Sequence, residues 1–209
     1  MTIKELEERT GGLSCTSKMP GYSWSISAWS CKTGGKLRDV PGSSCESCYA
    51  RRGFYAFKNV KPALDRRLEL WRKSPHWWIA NMVDLIGQKE KSGYFRWFDS
   101  GDLQSDSMLV DIMQVCRQLP HIKFWLQTRE VAFVREALAQ HKKPKNLTIR
   151  LSATMIDGPA PTDLAKRLGV RTSGVVTNGA TCPAPQQGGV CGDCRACWDS
   201  KRHVTYKLH

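Results

Sequence analysis

Apolar positions along this chain switch between two periods. Leu64, Leu68 and Trp71 form a helical stripe, and Ser74 followed by Pro75 supplies an N-cap and first-turn proline for a second helix carrying Trp78, Met82, Leu85 and Ile86. Beyond Ser92 and Gly93 the period shortens. Apolar runs at Tyr94–Phe98, Ile122–Gln127, Leu147–Ser152 and Gly174–Asn178 read as strands, separated by helical patterns near Asp106–Leu119, Glu130–Gln140 and Asp163–Leu168. This alternation predicts an α/β fold with a parallel sheet. With too few strands for an eight-stranded barrel, the expectation is a partial (βα) barrel or an open parallel sheet.

The ends of the chain are patterned differently. A short helix from Thr2 to Arg9 stops at Gly11 and Gly12, and a Gly-, Ser- and Pro-rich stretch with poor periodicity follows as far as Ser47. The segment from Cys182 to Trp198 is equally irregular. Neither has a hydrophobic face to order it, so a metal site is the expected organiser, in loops at 15–48 and 182–198 of a single domain spanning 1–209. At 209 residues and 41 % apolar content the chain can bury a core. The start, MTIKELEERT, is charged and the apolar runs are short, such as Trp77 to Ala80, so a cytoplasmic protein without a membrane segment is expected.

Thirty-two Lys and Arg against 19 Asp and Glu leave a formal charge of +13, which attracts polyanions. Eight basic residues stand between Arg51 and Lys73, interleaved with Tyr49, Phe54, Tyr55 and Phe57. The mixture can pair phosphates and stack bases, and Arg51, Arg52, Tyr55, Lys58, Arg66 and Arg67 are the candidate nucleic-acid contacts. The plainer alternative is a solvated helix face with Phe54 and Phe57 in the core.

Nine cysteines, an odd number in a reducing compartment, point to metal or redox chemistry rather than disulfides. CPAPQQGGVCGDCRACW sets Cys191, Cys194 and Cys197 at C-x2-C-x2-C, with Cys182 before a proline. That run suits a four-iron four-sulfur cluster, with a structural Zn2+ or unligated thiols as the alternatives. Cys45 and Cys48 form a second C-x2-C, joined by Cys31 upstream. Three thiolates can hold three irons of a cubane and leave the fourth open. Cys15 is either a further ligand or an ordinary loop thiol. Cys116 shares a helical stripe with Leu109, Ile112 and Leu119 and is read as core.

Polar residues close each strand: Asp99 and Asp102, Thr128 and Arg129, Ser152 and Thr154, and Asn178. In parallel sheets these ends share one crevice. Asp99, Asp102 and Arg129 are the candidate catalytic residues, and Ser100, Gly101, Asp102 and Ser152 the candidate cofactor contacts. Asp102 or Ser105 could equally serve only to cap the following helix.

TSKMPGYSWSI, GSSCESCYARRGFYAF, FRWFDSGDLQS, FWLQTRE and CPAPQQGGVCGDCRACW together resemble the phage gene-product-88 family over almost the whole chain. The resemblance implies a phage-encoded protein working in the host cytoplasm. In that family's pattern the position of Cys15 need not be cysteine, which favours Cys31, Cys45 and Cys48 as a three-ligand set. A more distant similarity is to radical S-adenosylmethionine enzymes, where a three-cysteine cluster with an aromatic after the last cysteine precedes a strand ending in a Gly-Gly-Glu-like motif. Cys48-Tyr49 and Ser100-Gly101-Asp102 stand in the same order here. The usual C-x3-C-x2-C spacing does not, since Cys31 lies fourteen residues before Cys45.

The functional expectation is an iron-sulfur protein with one or two 4Fe-4S clusters. It acts on or binds nucleic acid, with radical S-adenosylmethionine chemistry as its enzymatic form. Its rivals are a non-catalytic nucleic-acid-binding module and a host-interaction module, either one stabilised by Zn2+ or a structural cluster.

Overall fold

The computed structural model describes residues 1–199 and 201–208. It is a mixed α/β fold around a seven-stranded sheet whose spatial order follows the chain: β1 (Ser14–Cys15), β2 (Tyr22–Trp24), β3 (Tyr94–Trp97), β4 (Lys123–Thr128), β5 (Leu147–Ile156), β6 (Arg171–Val176) and β7 (Val204–Lys207). The β1 and β2 pair is antiparallel and every other neighbouring pair is parallel. β1 and β7 stand at opposite ends of the order, and among the described residues the sheet is open.

Among the described residues seven helices accompany it: α1 (Ile3–Thr10), α2 (Lys32–Leu37), α3 (Val60–Lys73), α4 (Pro75–Lys89), α5 (Asp106–Gln118), α6 (Val131–Gln140) and α7 (Thr162–Arg167). Sequential parallel strands joined by crossovers of one hand place their helices on one face of the sheet. Period 2 along each strand then divides the side chains. Phe95, Trp97, Phe124, Leu126, Ile149 and Leu151 join Trp78, Met82, Ile86, Leu109, Ile112 and Cys116 in the main core. Cys116 is fully buried there, as its stripe predicts. Arg96, Trp125, Thr148, Arg150 and Ser152 take the alternate positions and face the other side.

That second side is covered by the crossover from β6 to β7, which contains only short 3-10 turns at Ala184–Gln187 and Ala196–Trp198. Trp198 packs edge-on against Trp125 and Tyr94, each with centroids 5.4 Å away. Its indole Nε1 donates to the Phe95 carbonyl at 2.9 Å. Arg150, fully buried on β5, holds the covering segment in place. Its guanidinium donates to five carbonyls, those of Cys197, Thr172, Arg202, Ala196 and Asp199, at 2.6 to 3.2 Å.

Several expected boundaries shift. β5 runs on to Ile156 because Ser43 bridges Met155 and pairs the loop before Cys45 with the strand end. β1, β2 and β7 lie outside the expected strands. No helix among the described residues is long and apolar enough to cross a membrane.

Candidate functional site

The C-terminal end of β3 breaks off sharply. Phe98 has φ +61 and Gly101 φ +80, both in the left-handed region. A Cβ on Gly101 would lie 2.7 Å from the Ile26 carbonyl oxygen, so this turn requires glycine both for its backbone angle and for the close approach of the chain after β2. A buried phenylalanine held at positive φ is strained, and such strain persists only where the surroundings impose it.

The turn places two buried carboxylates three residues apart in different surroundings. Asp99 Oδ1 accepts from Ser23 Oγ at 2.8 Å and from Ser25 Oγ, and Oδ2 accepts from Tyr55 Oη at 2.6 Å. Burial alone would raise its pKa, but Arg96 and the Ser25, Tyr55 and Ser23 hydrogen bonds hold it below the usual carboxylate value. At Asp102 the balance is reversed. Burial raises it to about 6, although it accepts from the Arg129 amide at 2.9 Å, Thr128 Oγ1 at 2.5 Å and the Leu103 amide at 2.8 Å. The cap of α5 is Ser105, whose Oγ accepts from the Met108 amide at 3.1 Å.

Three separate clasps bring the N-terminal cysteines to these strand ends. Glu130, following β4, accepts from the Thr33 amide at 2.7 Å and from Thr33 Oγ1 at 2.8 Å, which pins the turn of α2 behind Cys31. The Ser44 amide donates to the Thr154 carbonyl at 2.9 Å and Ser44 Oγ accepts from Arg129 Nη2 at 2.7 Å, which fixes Cys45 beside β4 and β5. Tyr49 Oη donates to the Asp99 carbonyl at 2.5 Å, which ties Cys48 to β3. A Cβ placed on Gly34 would lie 3.2 Å from Cys31 Cβ, 3.5 Å from Cys45 Sγ and 3.8 Å from Cys31 Sγ, so both sulfurs pack close to this glycine. Cys31 and Cys45 are pushed up chiefly by burial, with Asp102 and Cys48 adding to both, Cys45 adding to Cys31, and Arg129 opposing. The two thiols therefore sit within electrostatic reach of Cys48, Asp102 and Arg129.

The C-terminal cysteines gather on the helix-free face. Burial and the proximity of Cys182 and Cys194 raise the Cys191 thiol, and burial raises Cys197 to about 11, with Cys182 also acting on it. Cys197 Sγ lies 3.2 Å from Tyr206 Oη. The Cys191 amide donates to the Lys18 carbonyl at 2.9 Å and the Cys182 amide to the Thr205 carbonyl at 3.0 Å. Arg96 acts on Asp99 as well as on Cys191 and Cys197, so it stands between the two cysteine groups.

Among the described residues no three His, Cys, Asp or Glu side chains are drawn together tightly enough for one bare ion. The fit of a metal group rests instead on donor chemistry. Thiolates are soft ligands suited to iron-sulfur clusters and zinc, and the Cys31 and Cys45 sulfurs both lie close to Gly34. For a polar ligand, Ser100 and Ser27 each bury a hydroxyl without a hydrogen-bond partner. Ser152 is buried and shares a hydrogen bond of 3.1 Å with Ser173.

One expected nucleic-acid contact is corrected. Arg67 is only 6 % exposed, and its guanidinium donates to the Gly11 carbonyl and Ser14 Oγ, at 3.0 and 2.9 Å, inside the fold. Its position on the Leu64, Leu68 and Trp71 stripe already pointed inward. Tyr55 is half-buried and donates its hydroxyl to Asp99. Arg52, Lys58 and Arg66 are exposed, and Arg51 is half-buried against Trp29. Glu130 and Arg150 escaped the sequence reading. Arg150 had a signal, since a charge in the middle of LTIRLS interrupts a strand otherwise read as buried.

Fold and site define a class: a mostly parallel α/β protein with cysteines and buried carboxylates at its strand ends and a second cysteine group on the opposite face of the sheet from the main core. A model of the gene product 88 family matches residues 3–200, and the chain belongs to that family. No curated protein and no solved structure matches it.

Proposed function

We propose that the crevice holds a 4Fe-4S cluster on Cys31, Cys45 and Cys48, and that the protein acts on nucleic acid by radical S-adenosylmethionine-type chemistry. The observation that carries this reading is the set of three clasps, from Glu130, from Ser44 with Arg129, and from Tyr49, which draw thiols from distant loop positions to the strand ends beside Asp102. When bound, such a cluster supplies the electron that cleaves S-adenosylmethionine. The chain's own part is to orient. Asp102 offers negative charge to the amino group of the cofactor, Ser100 a free hydroxyl, and Arg129 a cation for a carboxylate or phosphate. Asp99, saturated by four donors if its carbonyl is included, is a positioning residue for Cys48 and Tyr55.

Cys182, Cys191, Cys194 and Cys197 would hold a second centre, a 4Fe-4S cluster or Zn2+. A purely structural role for both groups, in a nucleic-acid-binding module without catalysis, is favoured by one observation: Arg150 spends four of its five donors on carbonyls of the segment between β6 and β7. Anaerobic purification followed by iron, sulfide and zinc analysis separates the readings. Seven or eight irons support two clusters and four support one. The electron paramagnetic resonance spectrum of the reduced protein should change on adding S-adenosylmethionine. Zinc without sulfide, or a spectrum indifferent to S-adenosylmethionine, overturns the enzymatic reading.

A further inference from the structure

The rim beside the three-cysteine crevice carries aromatic rings that the core does not use. Phe54 is 77 % exposed and Phe57 51 %, and their centroids stand 5.1 Å apart in an edge-to-face pair. Trp29, two residues before Cys31, is 38 % exposed. The Arg51 guanidinium lies 5.2 Å from its ring centroid and the Lys61 ammonium 5.5 Å. The Tyr49 ring is exposed although its hydroxyl is anchored on Asp99. Arg52 and Lys58, both exposed, flank the short 3-10 turns at Tyr49–Arg51 and Gly53–Ala56, whereas Arg66, exposed on α3, lies beside Lys4, Glu7 and Glu8 of α1.

Large rings left in water among cations mark a contact surface. The chemistry of this one is specific in two respects. Rings flanked by guanidinium and ammonium groups suit a ligand that alternates flat faces with negative charge, and the net +13 of the chain favours that charge at long range. A duplex hides its base faces in its own stack, whereas an unpaired strand presents them. We propose that this rim binds a single-stranded stretch of nucleic acid, with bases stacked on Trp29, Phe54 and Phe57 and phosphates paired by Arg51, Arg52 and Lys58. Tyr49 and Tyr55, fixed on Asp99, then form the step from the rim to the crevice. This deepens the nucleic-acid reading above and depends on it.

The test is fluorescence anisotropy with the whole protein and a labelled oligonucleotide of about 16 nucleotides, offered as single-stranded DNA, as the same sequence in RNA, and as the DNA duplex. Single strands should bind at least about tenfold more tightly than the duplex, and the DNA and RNA arms tell which sugar is preferred. Phe54→Leu with Phe57→Leu keeps the apolar bulk at exposed positions and removes the stacking faces. It should weaken single-strand binding roughly tenfold or more, while circular dichroism confirms the fold. Reversing Arg52 and Lys58 to Glu should lower the slope of log affinity against log salt by about 1.4, near 0.7 for each phosphate that no longer has a cation. Equal affinity for duplex and single strand, or no effect of the leucine pair, overturns the single-strand proposal and leaves nucleic-acid binding standing. Absence of binding to all three probes overturns both.

Discussion

Asp99 and Asp102 leave one short turn with opposite tendencies, and the difference lies in what each buried carboxyl faces. Asp99 meets Arg96 and three hydroxyl donors, which outweigh its burial. Asp102 meets amides and one hydroxyl, which do not. A pair pushed apart in this way is how one crevice keeps a firmly ionised group beside one that titrates near neutrality. The consequence for stability follows from the sign. The Asp102 carboxyl holds its proton to about 6 when folded and releases it near 3.8 when unfolded. Between those values the unfolded chain binds fewer protons, so stability falls as pH rises, by about 3 kcal/mol across the window. In the metal-free protein, urea unfolding of wild type and of Asp102→Asn should show the wild type losing about that much relative to the variant between pH 4 and pH 7. Other acids cancel in the difference. A gap constant with pH means that Asp102 titrates normally.

At the scale of elements, the irregular stretch from Cys15 to Cys48 owes its position to a few directed bonds rather than to a buried face. α2 is two turns long, contains Gly34 and Gly35 and buries no residue, so propensity and packing do little to hold it. The Glu130 clasp on Thr33 does more. Glu130→Ala should remove two charge-assisted hydrogen bonds and free the turn that carries Cys31. Alkylation of Cys31, followed by mass spectrometry against exposed Cys15 as internal reference, should speed up at least about fivefold, matching a loss of about 1 kcal/mol or more. An unchanged ratio would show that the turn is held by something else. The same contrast explains what could be read beforehand. α3 to α6 and the strands β3 to β5 carry runs of apolar residues into the main core, so they stand out in the sequence. β1 and β2 have two and three residues and no period to detect. The order of Cys48, the first central strand and Ser100-Gly101-Asp102 suggests cysteines near the carboxylates, and Cys31 and Cys45 lie within electrostatic reach of Asp102. The clasps were not legible, because Thr33 with Glu130 and Ser44 with Arg129 are partners only through the register of strands far apart in sequence. β7 alternates as Val204, Thr205, Tyr206 and Lys207, a signal that short length concealed.

Over the whole molecule the two faces of the sheet are secured by different means. One carries α3 to α6 over a continuous apolar core; the other carries a crossover with a small cluster around Trp125, Cys197, Trp198 and Val204. So little buried area cannot by itself offset the ordering entropy of a segment from Cys182 to Asp199, at roughly 1 to 2 kcal/mol of backbone entropy per residue. Arg150 contributes five hydrogen bonds and satisfies carbonyls that would otherwise be stranded, but it also leaves a guanidinium buried among neutral acceptors. Four thiolates around a metal centre would supply both the missing constraint and the missing negative charge. Removing the metal should therefore open this segment before the rest of the fold. In hydrogen exchange of the anaerobically prepared protein, chelation should speed exchange of amides between Cys182 and Asp199 by at least about 100-fold. Amides of α4 and α5 should keep their protection, because their stability comes from the helix-covered core. Trp198 fluorescence should shift to longer wavelength in the same titration as it leaves Trp125. If the segment stays protected after the metal has gone, Arg150 and the tryptophan cluster suffice to order it, and the C-terminal cysteines are not its organising centre.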